Sequence, residues 1–175
     1  MSVHVHGTRI DDEFAALEMS GGSYPEHGES THLIWINSRE LQPGQQIEVR
    51  FQESGDTSPQ GKTIAELFPE ETGEDEPADF KPTEAMFAEL RAKPSRRDGF
   101  TFELLGSKGT AFAGGTAGTD HGFGFSLVWN SQRPNRASHS LHAYNLDELE
   151  SRAPMRDFVR EYIEAPYSAT LRLDA

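Results

Sequence analysis

The chain has 175 residues, no cysteine, 29 Asp and Glu against 16 Lys and Arg, and a formal charge of −13 at pH 7. That length suffices for a single domain, 1–175, with its own core, and the missing thiols exclude disulfides, thiolate metal centres and cysteine nucleophiles. A field of this sign repels phosphate backbones and anionic lipid heads and attracts basic proteins.

Residues 1–7 lack the basic segment and apolar run of an export signal, and no run of about 18 apolar residues could span a bilayer. A cytoplasmic setting with no membrane contact is therefore expected. Val3 to Val5 reads as a strand with the valines inward and His4 and His6 on the solvent face of a sheet edge. Two such histidines could grip a metal, but a catalytic centre needs further ligands, and no HExxH-type run occurs. His139 and His142 fall on opposite faces of any strand through them, so both cannot join such a site. Asp12 to Met19 is ambiguous between helix and strand.

His32 to Ile36 and Ile47 to Phe51 read as strands, the second with Ile47, Val49 and Phe51 on one face and Glu48 and Arg50 on the other. Pro43 and Gly44 mark a turn between them. The stretch "HLIWINSRELQPGQQIEVRFQE", His32 to Glu53, resembles a recurring segment of small uncharacterised bacterial proteins, in which a strand with a central Trp runs through a Leu-x-x-Gly turn into an alternating strand. The resemblance covers about an eighth of the chain and implies a β-rich domain; it carries no activity or site residues with it.

From Gly55 to Lys81 the chain reads as an acidic loop insertion. "GDTSPQGKT" ends like a phosphate loop, but five residues separate Gly55 from Gly61 where four are required, and Pro59 removes a backbone donor. Thr63 to Phe68 is long enough for one helical turn before Pro69. Glu66 to Asp79 carries seven carboxylates and no cation; Glu70, Glu71, Glu74, Asp75, Glu76 and Asp79 are the candidate contacts to a basic partner. The basic cluster Arg91, Lys93, Arg96 and Arg97 follows.

Thr83 caps an expected helix, "TEAMFAELRAK", with Met86, Phe87 and Leu90 as its apolar stripe and Pro94 beyond its end. "PMRDFVREYIE" is the second expected amphipathic helix, with Met155, Phe158, Val159, Tyr162 and Ile163 at helical spacing. Phe100 to Leu105, Phe123 to Trp129, His139 to Tyr144 and Ala169 to Leu173 read as strands. Phe112 to Phe123 reads as a flexible glycine-rich connection holding Asp120 and His121, which could orient an imidazole. No GxSxG elbow accompanies them. Asp11, Asp12 and Glu13, like Asp147, Glu148 and Glu150, are adjacent surface or helix-start charges rather than carboxylates facing each other across a cleft.

Irregular alternation of strands and helices points to an α+β fold, a mostly antiparallel sheet or sandwich with two amphipathic helices. The expected function is that of a non-catalytic acidic binding protein, an immunity or inhibitor-type partner of a basic protein, needing no cofactor. The alternative is a metal-dependent hydrolase assembled from His4, His6, Asp120 and His121. A third possibility, an oligomeric module, would pair Val3 to Val5 or Ala169 to Leu173 as sheet edges between chains; the oligomeric state itself is not legible.

Overall fold

Alternation of apolar with polar residues is the dominant local pattern, and it resolves into two antiparallel sheets. The computed structural model describes residues 1–23, 31–52, 60–69, 82–130 and 132–174. Strands β1 (Ser2–Thr8), β2 (Ala15–Ser23), β3 (Thr31–Leu41), β7 (Gly122–Trp129), β8 (Arg136–Tyr144) and β9 (Arg156–Glu164) form the larger sheet, in the order β3-β2-β1-β7-β8-β9. Strands β4 (Gln46–Phe51), β5 (Thr101–Gly106), β6 (Gly109–Gly115) and β10 (Tyr167–Asp174) form the smaller, in the order β4-β10-β5-β6. Each of these ladders is antiparallel.

Buried residues of both sheets meet in one cluster: Val5, Phe123, Phe125 and Leu141 from the larger, Phe102, Leu104, Leu171 and Leu173 from the smaller. Its centre is aromatic, with Phe123 lying 4.7 Å from Phe100 and 4.8 Å from Phe102 between ring centroids, both in tilted or edge-on arrangements that suit ring quadrupoles. Full burial of each such ring contributes about 2–3 kcal/mol. A smaller cluster joins Phe51, Leu127, Ala137 and Ile163, with Trp129 packed against it.

All seven strands expected from the sequence lie within observed strands or at their boundary; β2, β6 and β9 are additional to them. The largest correction is "PMRDFVREYIE", a strand rather than a helix, paired with β8 from Arg136↔Glu164 to Ala143↔Arg156. A bulge between Leu141 and His142 shifts the register, so Phe158 and Val159, adjacent in sequence, both pack against the core. That doubled position imitates a helical stripe. The edges also differ from expectation. β1 lies between β2 and β7, and β10 between β4 and β5, so neither Val3–Val5 nor Ala169–Leu173 offers a free edge; β3, β9, β4 and β6 are the outer strands.

The turn Gln42–Gln45 does not close a hairpin, because β3 and β4 belong to different sheets. It carries the chain from one sheet to the other, with Gly44 at φ +82°, the amide of Gln45 donating to the carbonyl of Gln42 (3.1 Å) and that of Gly44 to Leu173 (2.7 Å). Three short helices complete the described residues. In α1 (Ile64–Leu67), Thr63 and Glu66 form a reciprocal capping box. In α2 (Glu84–Ala92), capped by Thr83, Phe87 is the buried residue while Met86 stays exposed. In α3 (Leu146–Ser151), Asn145 and Glu148 form a second capping box, which explains the acids at 147 and 148 as helix-start charges.

Candidate functional site

His4 and His6 project from the outer face of the larger sheet, opposite the core side that buries Val3 and Val5. The ladder places Glu18 and Ser126 beside His4, and Ala16 and Gly124 beside His6. Beyond β7, the same rows continue to Ser140 and to His142, so a third histidine shares the face. Its ring covers Gly124, where an added Cβ would come within 2.8 Å of its Nε2. Tyr144 covers Gly122 in the same way, its hydroxyl 2.7 Å from such a Cβ. The glycines of "GFGF" thus serve less as turn residues than as slots for rings of the neighbouring strand.

Burial lowers the pKa of His4, which Glu18 partly offsets, and likewise that of His142, partly offset by Asp157. His6 Nε2 lies 4.0 Å from Glu18 Oε1. The other two candidate ligands are elsewhere. Asp120, 5% exposed, accepts from the amide of Ala117 at 2.5 Å and pairs with Arg156; His121 packs 6.2 Å from Tyr144, with burial lowering its pKa. Among the described residues no three His, Asp or Glu gather into a group able to hold a metal ion.

The connection that carries Asp120 is tied down, contrary to the flexible segment expected. β6 extends to Gly115. Thr116 then exchanges hydrogen bonds with Phe100 (2.9 and 3.0 Å), and the amide of His121 donates to Tyr144 at 2.7 Å. Asp120 is therefore committed to holding this loop.

Most other arginines of the described residues are likewise engaged in internal contacts. Arg97 donates to the carbonyls of Thr8, Asp11 (2.8 Å), Asp12 (3.3 Å) and Glu13 (3.0 Å) while stacking over Phe14 and Phe100 at 5.7 and 5.6 Å. Arg9 donates to the carbonyls of Arg97 (3.1 Å) and Gly118. Arg50 pairs with Glu48, Arg91 with Asp147 and Glu150, Arg96 with Asp12, Arg156 with Asp120, Arg160 with Asp157 and Arg172 with Glu103.

The six candidate contact residues, Glu70, Glu71, Glu74, Asp75, Glu76 and Asp79, lie outside the described residues. By sequence, they join Glu26, Glu29, Glu53 and Asp56 as ten of the 29 carboxylates in ranges 24–30, 53–59 and 70–81, where Lys81 is the only one of the 16 cations. The described residues retain 19 carboxylates against 15 cations, a formal charge of −4.

A cleft of about 620 Å³ opens where β6 and β9, outer strands of the two sheets, face one another. The strands approach at Phe112 and Phe158, stacked at 4.5 Å, and the cleft lies toward the β5–β6 turn, between Ser107–Ala111 and Glu161–Glu164. Glu161 pairs across the ladder with His139, whose side chain is fully buried between Phe125 at 5.5 Å and Tyr167 at 5.7 Å. His139 Nδ1 lies 3.3 Å from Glu161 Oε1. Burial holds the His139 pKa down despite that carboxylate, so the ring carries no positive charge to pair with Glu161, and its Nδ1–H tautomer donates to the carboxylate. Burial and Glu161 together raise the pKa of Tyr167. On the rim, the Arg136 guanidinium lies 4.0 Å over the Tyr162 ring.

Sequence reasoning missed Glu161 and Arg136. The strand spacing Val159, Glu161, Ile163 places a carboxylate at a position otherwise apolar, a signal visible only once β9 is known to be a strand. Comparison with protein-family models, with curated proteins and with solved structures finds no match for this chain.

Proposed function

We propose that this protein is a non-catalytic binding protein that captures a basic protein partner, in the manner of an immunity or inhibitor protein acting in the cytoplasm. The observation that carries the reading is the segregation of charge. Eight of the twelve arginines engage backbone carbonyls or carboxylates within the described body, whose formal charge is only −4, whereas most of the surplus falls in three sequence ranges with one lysine among them. Carboxylates so dense along the chain raise the negative potential around them, which speeds encounter with a cationic surface and selects against anionic ones. The two sheets, sharing a core, are read as a sandwich that serves as the scaffold for these ranges.

The test compares two variants, each losing six formal negative charges. One neutralises Glu70, Glu71, Glu74, Asp75, Glu76 and Asp79 to their amides; the other neutralises Glu13, Glu40, Glu84, Glu89, Asp98 and Asp174, all exposed residues of the described body. With a poly-arginine peptide as probe, the first variant is expected to lose most of the affinity and the second to keep it. Equal losses would mean that net charge alone acts and would refute the segregated site.

A further inference from the structure

The cleft between β6 and β9 carries an arrangement of charge that internal pairing does not account for. Glu161 stands on the inner side of the β9 edge with its carboxylate anchored by a neutral, fully buried imidazole, so it is oriented without being neutralised. An ordered carboxylate beside the Tyr167 ring is the chemistry that receives a guanidinium or alkylammonium group. Arg136, the ladder partner of Glu164, reaches the cleft from the outer side of the same edge strand. Its guanidinium is already fixed over Tyr162, yet it forms no ion pair among the described residues, and neither does Lys108 on the facing turn. An unpaired guanidinium and an unpaired ammonium facing one cleft receive a carboxylate.

We propose that this cleft binds a small zwitterion, a basic amino acid of the arginine or lysine class, with Glu161 as counter-ion to the side-chain cation and Arg136 and Lys108 receiving the α-carboxylate. Glu161 and Glu164 are three residue steps apart, about 10 Å along β9, a separation that an extended basic amino acid bridges. A cation alone would meet Arg136 and Lys108 without compensation. An anion alone would meet Glu161 and Glu164, both of which line the cleft. The opening, about 620 Å³, falls in the range of small-molecule sites. This site is separate from the acidic ranges and does not depend on the proposed capture of a basic protein.

The experiment titrates the full chain with L-arginine, with agmatine, which keeps the guanidinium but lacks the carboxylate, and with acetate, following amide chemical shifts and calorimetric heat. L-Arginine is expected to bind saturably with one site, to exceed both partial ligands by about tenfold or more, and to perturb amides of residues 107–111 and 161–167. Glu161→Gln should weaken L-arginine by about tenfold or more. Lys108→Gln, on an exposed turn where folding is not at stake, should weaken L-arginine while leaving agmatine unchanged or slightly tighter. Glu89→Gln on α2 is the control, with no change expected. Absence of saturable L-arginine binding, equal affinity for agmatine and L-arginine, or indifference to both Glu161→Gln and Lys108→Gln would overturn the proposal.

Discussion

Replacing Arg97 by lysine keeps the charge and removes the planar fork, and so separates geometry from electrostatics at the residue that ties the β1–β2 connection to the core edge. Its Nη2 donates to three successive carbonyls at 2.8, 3.3 and 3.0 Å, its Nη1 to the carbonyl of Thr8, and its plane covers Phe14 and Phe100. A lysine ammonium reaches one or two of these carbonyls from a single point and loses the stacking. Two charge-assisted hydrogen bonds in a half-exposed setting contribute about 1–1.5 kcal/mol each, and the two ring contacts about 0.5 kcal/mol each. Arg97→Lys is therefore expected to destabilise by about 3 kcal/mol, a fall in Tm of roughly 6–12 °C for a chain of this size. Urea unfolding followed by tryptophan fluorescence measures it. Arg96→Lys, which alters an ion pair with Asp12 between side chains 55% and 85% exposed, should change stability by less than about 0.5 kcal/mol. Repeating both in about 1 M salt should leave the Arg97 effect nearly intact, because its acceptors are neutral carbonyls. A loss below about 0.5 kcal/mol for Arg97→Lys, or one abolished by salt, would refute the role assigned to this side chain.

Other perturbations report on the sheet faces and the core. Gly124→Ala sets a methyl 2.8 Å from the His142 ring and should cost about 1–2 kcal/mol, whereas Gly118→Ala meets nothing within 4 Å and should be neutral or stabilising by up to about 1 kcal/mol; thermal midpoints of the two variants should move in opposite directions or differ by several degrees. Leu141→Ala, truncating a fully buried side chain at the centre of the core, should cost about 2–5 kcal/mol in chemical denaturation. Acidification has a definite sign. Burial lowers the pKa of His4, His121, His139 and His142 below 6.5 in the folded chain, so the unfolded chain takes up protons first. Stability present above that value is then lost as pH falls through it toward the lowered folded values. The urea midpoint should drop between about pH 7.5 and about pH 5.5, and a midpoint that holds or rises would show that these rings protonate freely in the fold.

How far the sequence reveals this molecule depends on which residues sit at the decisive positions. Where the alternation is uninterrupted, as in Phe123, Phe125 and Leu127, strand and buried face both follow from the residue order alone. In β9 a carboxylate occupies the inward position between Val159 and Ile163, and a bulge doubles Phe158 with Val159; both features erase the two-residue period and leave a pattern that a helix fits equally well. The cleft is hidden for the same reason, since its ordered carboxylate is the residue that breaks the pattern. The histidines show a different limit. Opposite orientations for His139 and His142 follow from local geometry alone, but the convergence of His142 with His4 and His6 on one outer face requires the order β1-β7-β8, which no local signal encodes. The glycines at 122 and 124 likewise acquire their meaning from Tyr144 and His142, distant in sequence and adjacent in the sheet.

The most direct test of the central claim, that localised surplus charge draws in a basic partner, is the association rate of the full chain with a poly-arginine peptide measured by stopped flow across ionic strength. Screening lengths shrink several-fold between about 0.02 and about 0.5 M salt, so the rate is expected to fall by about tenfold or more, with a dissociation rate that changes far less. A rate that stays level across that range would contradict the account, because the carboxylates would then exert no steering on the encounter.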